Sequence, residues 1–189
     1  LAIPVHLIDC DLEEADLEQL ELSHCIFERC TFRHASLVGA TFESARFLSC
    51  KGGFANFIGS DLTDATFTSC DLNNANFRRA TLRSAEFRSC KLTGADLTDA
   101  KMLDMVLAET LLISAKLPCH SFHKQTLTGL DFSYADLRNC DFRYTTFEKC
   151  SLRDADMQGS RFEGADLRGA DLGGLRLIDT TLFRGALIS

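Results

Sequence analysis

A five-residue repeat runs through almost the whole chain and limits the folds that it can adopt. Of the 37 residues between Leu7 and Leu187 whose numbers end in 2 or 7, 36 are Leu, Phe or Met, and the exception is Gly52. Of the 37 residues between Val5 and Gly185 whose numbers end in 0 or 5, 31 are Ala, Cys, Ser, Thr, Val or Gly. The repeat predicts that each group of five residues points one large and one small side chain into a core.

The charged side chains test this prediction independently. All 47 Asp, Glu, Lys and Arg residues of the chain lie outside these two repeat positions. Because an unpaired charge is costly to bury, this avoidance indicates that both positions face inward. A period of five fits neither an α-helix, with 3.6 residues per turn, nor a strand, with a period of 2. It indicates a chain that turns a corner every five residues.

The repeat resembles the A-(D/N)-L-X-X motif of the pentapeptide-repeat family. Clear copies are Ala95-Asp96-Leu97, Ala135-Asp136-Leu137 and Ala165-Asp166-Leu167. The resemblance covers essentially the whole chain. It implies an all-β fold, the right-handed quadrilateral parallel β-helix, in which four groups of five residues close each coil. We therefore expect residues 1–189 to form a single domain of about nine coils without large loop insertions.

Residues 102–130 depart most from the repeat. Several small-residue positions there hold larger side chains: Met105, His120, Gln125 and Leu130. Apolar residues also occupy positions that should face outward: Leu103, Val106, Leu111 and Ile113. Two interpretations remain open, a distorted coil that packs larger side chains or an apolar patch for a partner. No nucleophile or carboxylate pairing accompanies the histidines, so they do not predict catalysis.

Six of the nine cysteines share one column of the expected rod, because their numbers differ by multiples of 20: Cys10, Cys30, Cys50, Cys70, Cys90 and Cys150. A metal or redox ladder and a stack of small buried thiols would both fit. We favour buried thiols, because no His shares the column and metal sites usually gather ligands at CxxC-type spacings. Reduced thiols favour a cytoplasmic location. We expect no cofactor or metal, and we expect Cys119, the only cysteine outside the inward positions, to be the most accessible.

Acidic residues are concentrated at the start of the chain. The net charge is −7, and residues 1–28 hold eight Asp and Glu but no Lys or Arg. The other 161 residues hold 19 acids and 20 bases. Two faces of the expected rod are somewhat more acidic, those that carry Asp16, Asp96, Asp136 and Asp156, and Asp11, Asp71, Asp131 and Asp171. This charge disfavours direct binding to nucleic acid.

The resemblance also carries an expectation about function. Pentapeptide-repeat members of similar length and regularity include the Qnr-type and MfpA-like proteins, thought to mimic DNA on DNA gyrase or topoisomerase IV. The resemblance implies a non-enzymatic protein that modulates one of these enzymes or protects it from quinolones or toxins. The alternative is a structural or signalling adaptor with an unassigned protein partner. The residues expected to bind the partner are Asp11, Glu13, Glu14, Asp16, Asp96, Asp131, Asp136 and Asp156.

The C-terminal coil is expected to join two copies into a homodimer. Members of the gyrase-interacting branch dimerise through this end, and an open solenoid end must be capped or joined. The contact is expected to involve Ile178, Phe183 and Ile188, with Phe183 and Ile188 as apolar residues at outward positions. The chain contains no apolar run of about 18 residues, so the sequence predicts no membrane span.

Overall fold

The structure, a computed structural model, describes residues 5–174 and 181–189. Short parallel strands stack in chain order into one sheet. They are β1 (His6–Ile8), β2 (Ile26–Glu28), β3 (Arg46–Leu48), β4 (Thr66–Thr68), β5 (Glu86–Arg88), β6 (Val106–Ala108), β7 (Thr126–Thr128), β8 (Thr146–Ser151) and β9 (Asp166–Asp171). Partners in adjacent strands are 20 residues apart, as in Phe27 with Phe47. The fold is the right-handed quadrilateral β-helix that the sequence predicts.

Each coil has four sides, and each side is one group of five residues. The strands β1–β9 form side A. Sides B, C and D follow in chain order and pair between coils through single bridges: Asp11 with Thr31, Asp16 with Ser36, and Glu21 with Thr41. In the second coil, sides A to D are residues 26–30, 31–35, 36–40 and 41–45. Side chains on different sides therefore face different directions around the rod.

The corners use residues in the left-handed backbone region. Glu14, for example, has a φ of 58° and Asn74 one of 57°. This region costs an L-residue roughly 1–2 kcal/mol, and hydrogen bonds between coils offset that cost. An aspartate at the start of a side also stabilises the corner: Oδ1 of Asp61 accepts the backbone N–H of Thr63 at 3.0 Å. The Asp-rich outward position is therefore a structural feature of the corner as well as a source of charge.

The interior consists of columns of identical side chains, one per coil. Phe27, Phe47, Phe67 and Phe87 stack with ring centroids 5.0, 4.4 and 4.7 Å apart. All four rings are almost completely buried. This confirms that the large repeat position faces inward. Stacked rings at these separations add dispersion energy to the burial of apolar surface.

The coils continue through residues 102–130, so this irregular stretch introduces no loop. Met105, His120 and Leu130 are buried in positions that hold small residues elsewhere. Leu103 and Val106 are exposed. The stretch therefore combines larger side chains packed inside the coils with apolar side chains exposed on the outside.

On side D, the backbone of residues 101–106 in one coil separates from that of residues 121–126 in the next coil. We call this gap the mid-rod opening. One coil earlier, the N–H of Leu82 donates to the carbonyl of Lys101 in the next coil at 2.8 Å. Within the described ranges, the corresponding N–H groups of Met102 and Asp104 meet no carbonyl of the next coil. The cause is volume, since the opening coincides with three oversized residues in small slots: Met105, His120 and Gln125. Overfilled slots force neighbouring backbones apart.

The C-terminal end corrects one expectation. Asp166 bridges Leu187, 21 residues ahead, instead of the residue 20 ahead. This offset turns Phe183 inward: it is 5% exposed, and its ring centroid lies 4.9 Å from that of Phe162. The prediction that Phe183 faces outward is therefore wrong. Ile188 is exposed, as expected, and Ile178 lies outside the described residues.

Phe183→Ala should destabilise the protein. The substitution leaves a cavity over Phe162 at the end of the core, and a buried Phe→Ala change typically costs about 3–5 kcal/mol. Chemical denaturation followed by circular dichroism measures the loss. Leu182→Ala, which removes the neighbouring and more exposed side chain, is the control and should cost less. Equal stability of Phe183→Ala and the wild type would show that Phe183 is not part of the core.

Candidate protein-binding surfaces

The first coil carries the densest group of expected binding residues. Asp11, Glu13 and Glu14 lie on side B, and Asp16 follows on side C. All four are exposed. The only cation near this group is Arg33, whose Nε lies 3.9 Å from Glu13 among the described residues. The corner between sides B and C is thus strongly negative at this end of the rod.

Several of these aspartates have a second, structural role. Oδ1 of Asp11 accepts the N–H of Glu13 at 3.0 Å, and Oδ1 of Asp16 accepts that of Glu18 at 3.1 Å. Asp131 accepts the N–H of Ser133 at 2.9 Å. An Asn side chain has the same carbonyl-type acceptor but no charge. Asp→Asn substitutions therefore separate charge from corner formation.

The expected binding residues further along the rod are largely neutralised. Asp96 lies 3.4 Å from the Nζ of Lys116. Arg138 binds Asp136 at 2.7 Å and lies 3.7 Å from Asp156. The hydrogen bond from Arg138 holds the pKa of Asp136 below its usual range. The structure does not bring these three aspartates together with the acidic first coil as one continuous negative surface.

Sequence reasoning missed these ion pairs. Arg29 binds Asp9 at 2.7 Å and also contacts Glu28, and Arg33 lies 3.9 Å from Glu13, so three of the eight N-terminal acids have a base nearby. The signal was present, because residues 20 apart stack on adjacent coils and Asp9 and Arg29 have that spacing. Counting charges along each face ignores this pairing between coils.

The cysteine column has a hydrogen-bonding role. From Cys30 onward, each thiol of the column donates to a carbonyl of the preceding coil, as Cys50 does to Phe27 and Cys70 to Phe47, both at 3.3 Å. Burial raises the pKa of Cys150, which favours its protonated form. In the parts of the chain that the structure describes, no group of three or more His, Cys, Asp or Glu is placed to hold a metal ion. The column is a stack of small buried thiols.

The two histidines near the mid-rod opening have buried ring nitrogens. Nε2 of His120 and Nδ1 of His123 have no hydrogen-bond partner among the described residues. Burial lowers the pKa of His120 to about 4, so the ring is neutral at physiological pH. Among the described residues, neither ring is hydrogen-bonded to a nucleophile. The ring of His120 belongs to the distorted core, whereas His123 is half-buried at an outward position beside Tyr144.

The repeat now identifies the family. A family model described as the pentapeptide repeat region matches residues 4–77, and one described as pentapeptide repeats (8 copies) matches 60–99, 106–143, 135–174 and 145–182. The chain belongs to the pentapeptide-repeat family. A comparison with curated protein sequences found no match.

Solved structures of other pentapeptide-repeat proteins share the fold. Full-length QnrB1, a plasmid-mediated fluoroquinolone resistance protein, matches with a TM-score of 0.72 and 22% identity over 98% of this chain and 92% of that one. HetL, involved in heterocyst differentiation regulation in the cyanobacterium Nostoc sp. strain PCC 7120, matches with a TM-score of 0.51 and 24% identity over 90% and 89% of the two chains. At these identities the likeness shows a shared fold. No helix within the described residues is long and apolar enough to cross a membrane.

Cys119 should be the first thiol to react with a labelling reagent in the native protein. It is exposed at a corner, whereas Cys50, Cys70, Cys90 and Cys140 are buried. A reagent reaches an exposed thiol in the folded protein, whereas a buried thiol must first be exposed by local unfolding. Mass spectrometry of peptides after brief labelling gives the order of reaction, and Cys10, which is partly buried, should follow. Labelling of Cys50 as fast as Cys119 would contradict the buried column.

Low pH should destabilise the protein through His120. The unfolded state takes up a proton as pH falls below about 6.5, whereas the folded state takes it up only near pH 4. The free energy of unfolding therefore decreases by up to about 3 kcal/mol between these values. His120→Ala, which restores a small residue, should flatten this part of the pH profile. The exposed His24→Ala is the control, and identical profiles for wild type and His120→Ala would refute the assignment.

Proposed function

We propose that this chain binds a protein surface that ordinarily holds DNA, namely that of DNA gyrase or topoisomerase IV, and acts by binding instead of by catalysis. The observation that carries the proposal is the acidic corner of the first coil, formed by Asp11, Glu13, Glu14 and Asp16. Carboxylates projecting from a rigid rod present negative charge in the way that the phosphates of a duplex do.

The dimensions of the rod support the proposal. Nine stacked strands span about 38 Å, since neighbouring strands are about 4.8 Å apart. A duplex with a phosphate every 3.4 Å or so along each strand covers that length in roughly 11 base pairs. QnrB1, which shares this fold at 22% identity, is described as a fluoroquinolone resistance protein. That description suggests gyrase as the first enzyme to test.

The ion pairs change which acidic residues are expected to contribute most to partner binding. Asp96, Asp136 and Asp156 lie next to Lys116 or Arg138 and contribute little net field. Asp131 has no cation within 4 Å among the described residues and keeps its charge. Asp11, Asp16 and Asp131 are therefore the most informative residues to change.

An adaptor with an unassigned protein partner is the second candidate function. The specific observation in its favour is that four of the eight expected acids, Glu13, Asp96, Asp136 and Asp156, lie within 4 Å of a base, which leaves most of the rod electrically mixed. HetL, which shares this fold, is described as involved in heterocyst differentiation regulation. An adaptor would not affect topoisomerase activity.

We also propose that two copies associate through the C-terminal coil, with Leu187 and Ile188 as its exposed apolar residues, 54% and 45% exposed. A two-fold pair joined there would place both acidic first coils at its far ends. Ile188→Asp should convert a dimer to a monomer in analytical ultracentrifugation without lowering the melting temperature. A wild type that sediments as a monomer at tens of micromolar would refute this association.

The binding proposal predicts inhibition or protection of gyrase in a supercoiling assay. The triple variant Asp11→Asn, Asp16→Asn, Asp131→Asn should weaken the effect on the order of ten-fold, because it removes three charges while keeping the corner acceptors. Its melting temperature should be unchanged. Adding a fluoroquinolone to parallel reactions distinguishes protection from inhibition.

Asp61→Asn is the matched control. Asp61 lies on side D and also accepts a corner N–H, from Thr63. Its substitution should leave the gyrase effect unchanged. Supercoiling that is untouched by micromolar wild-type protein, with and without the drug, would favour the adaptor.

A further inference from the structure

A second surface lies at the corner between sides D and A, around the mid-rod opening. Its apolar side chains are Leu103, Val106 and Tyr144, which are 60%, 37% and 59% exposed. Leu103 and Val106 flank one turn of the chain, and Tyr144 lies two coils further along the same corner. We call these three residues and their neighbouring cations the D–A corner surface. Exposed apolar groups concentrated on one corner are a feature of binding surfaces.

The cations of this surface are available to a partner. Arg83, Lys101 and Lys124 surround Leu103, and none has a carboxylate within 4 Å in the described part of the chain. The acids beside them are Asp104 and Glu86, the strand partner of Val106, and Glu86 is already paired with Arg88 at 2.9 Å. Elsewhere on the rod many bases are already paired, as Arg29 and Arg138 are. The D–A corner surface therefore has a net positive charge in an otherwise acidic protein.

The backbone at this corner also has free hydrogen-bonding capacity. Within the described residues, the N–H groups of Met102, Asp104 and Thr126 make none of the bonds between coils that their counterparts make in other coils. The ring of His123 lies 5.8 Å from that of Tyr144, next to the opening. Unpaired strand groups beside apolar side chains are the features that extended peptides recognise.

The position of this surface separates it from the acidic one. Glu13 and Glu14 lie at the corner between sides B and C, whereas Leu103 and Asp104 lie at the corner between sides D and A. In a four-sided coil these corners are diagonally opposite. A partner on one corner leaves the other free.

We propose that the D–A corner surface binds an extended segment of a second protein partner in which apolar residues alternate with Asp or Glu. The apolar residues would cover Leu103, Val106 and Tyr144, and the acids would pair with Lys101, Lys124 and Arg83. Charge complementarity favours this occupant, because a two-fold dimer through this corner would bring the same cations face to face. The rod thereby joins two partners of opposite charge, which goes beyond binding to a topoisomerase.

A random peptide display library selected on the immobilised wild-type protein tests the proposal. The enriched peptides should combine Asp or Glu with Leu, Val or Phe, and should bind more weakly as salt is raised. Fluorescence anisotropy of one enriched peptide then gives the dissociation constant for each variant.

The variants place residues that the rod already uses at equivalent positions. The first double variant is Leu103→Thr with Val106→Thr, because Thr63 and Thr66 occupy the equivalent positions two coils earlier. The second is Lys101→Asp with Lys124→Asp, because Asp61 and Asp64 occupy the equivalent positions in earlier coils. Each double variant should weaken peptide binding on the order of ten-fold. The matched control is Phe54→Asn, which removes an exposed aromatic side chain from side B and follows Asn74; it should leave the dissociation constant unchanged.

Three results would overturn the proposal: no enrichment over an unrelated protein, enrichment of basic peptides, or equal binding of the selected peptide to wild type and Leu103→Thr/Val106→Thr. A dimer that the latter variant dissociates in ultracentrifugation would also overturn it, since a second copy would then be the occupant. Circular dichroism confirms that each variant is folded. The supercoiling assay should give the same result for wild type and Leu103→Thr/Val106→Thr, so the two proposals fail or hold separately.

Discussion

Backbone hydrogen bonding between adjacent coils is the constraint on which the rest of this structure depends. The N–H of Thr66 donates to the carbonyl of Ala45, and Glu86 repeats the bond to Ala65 one coil later, both at 2.9 Å. This ladder fixes the separation of the coils, so side chains 20 apart must fit at one strand spacing. Phenylalanine rings stack well at that distance, and small residues fill the remaining space, which explains why the five-residue repeat tolerates so few exceptions.

The same ladder determines the electrostatics of the surface. Stacking places Asp9 over Arg29 and Asp96 over Lys116, so acids and bases neutralise one another between coils. Aspartates at the start of a side also hold the corners by accepting a backbone N–H. The negative field of the rod is therefore concentrated at the first coil, where Asp11, Glu14 and Asp16 have no base within 4 Å among the described residues. A charge becomes a feature for recognition only when neither a neighbouring coil nor a corner has neutralised it.

The mid-rod opening shows what happens when side-chain volume conflicts with the ladder. Met105, His120 and Gln125 exceed the small slots, and side D loses its bonds between coils while the bridge between Asp96 and Lys116 persists on side C. The loss is local because each coil contacts only its neighbours. In a uniform rod, such a local exception creates a surface that the other coils lack.

The sequence by itself determined the two inward positions, the placement of eight of the nine cysteines at those positions and the exposure of Cys119, because a five-residue period with charge avoidance encodes which side chains leave water. The family resemblance contributed the four-sided shape and the spacing of 20. Only the tertiary structure decided that Phe183 turns inward, because a one-residue offset at the last coil leaves no trace in the periodicity. It also decided which acids are paired and where side D opens. Both depend on distances between neighbouring coils, which are set by packing and by hydrogen bonds across the coil boundary and not by the order of residues along the chain.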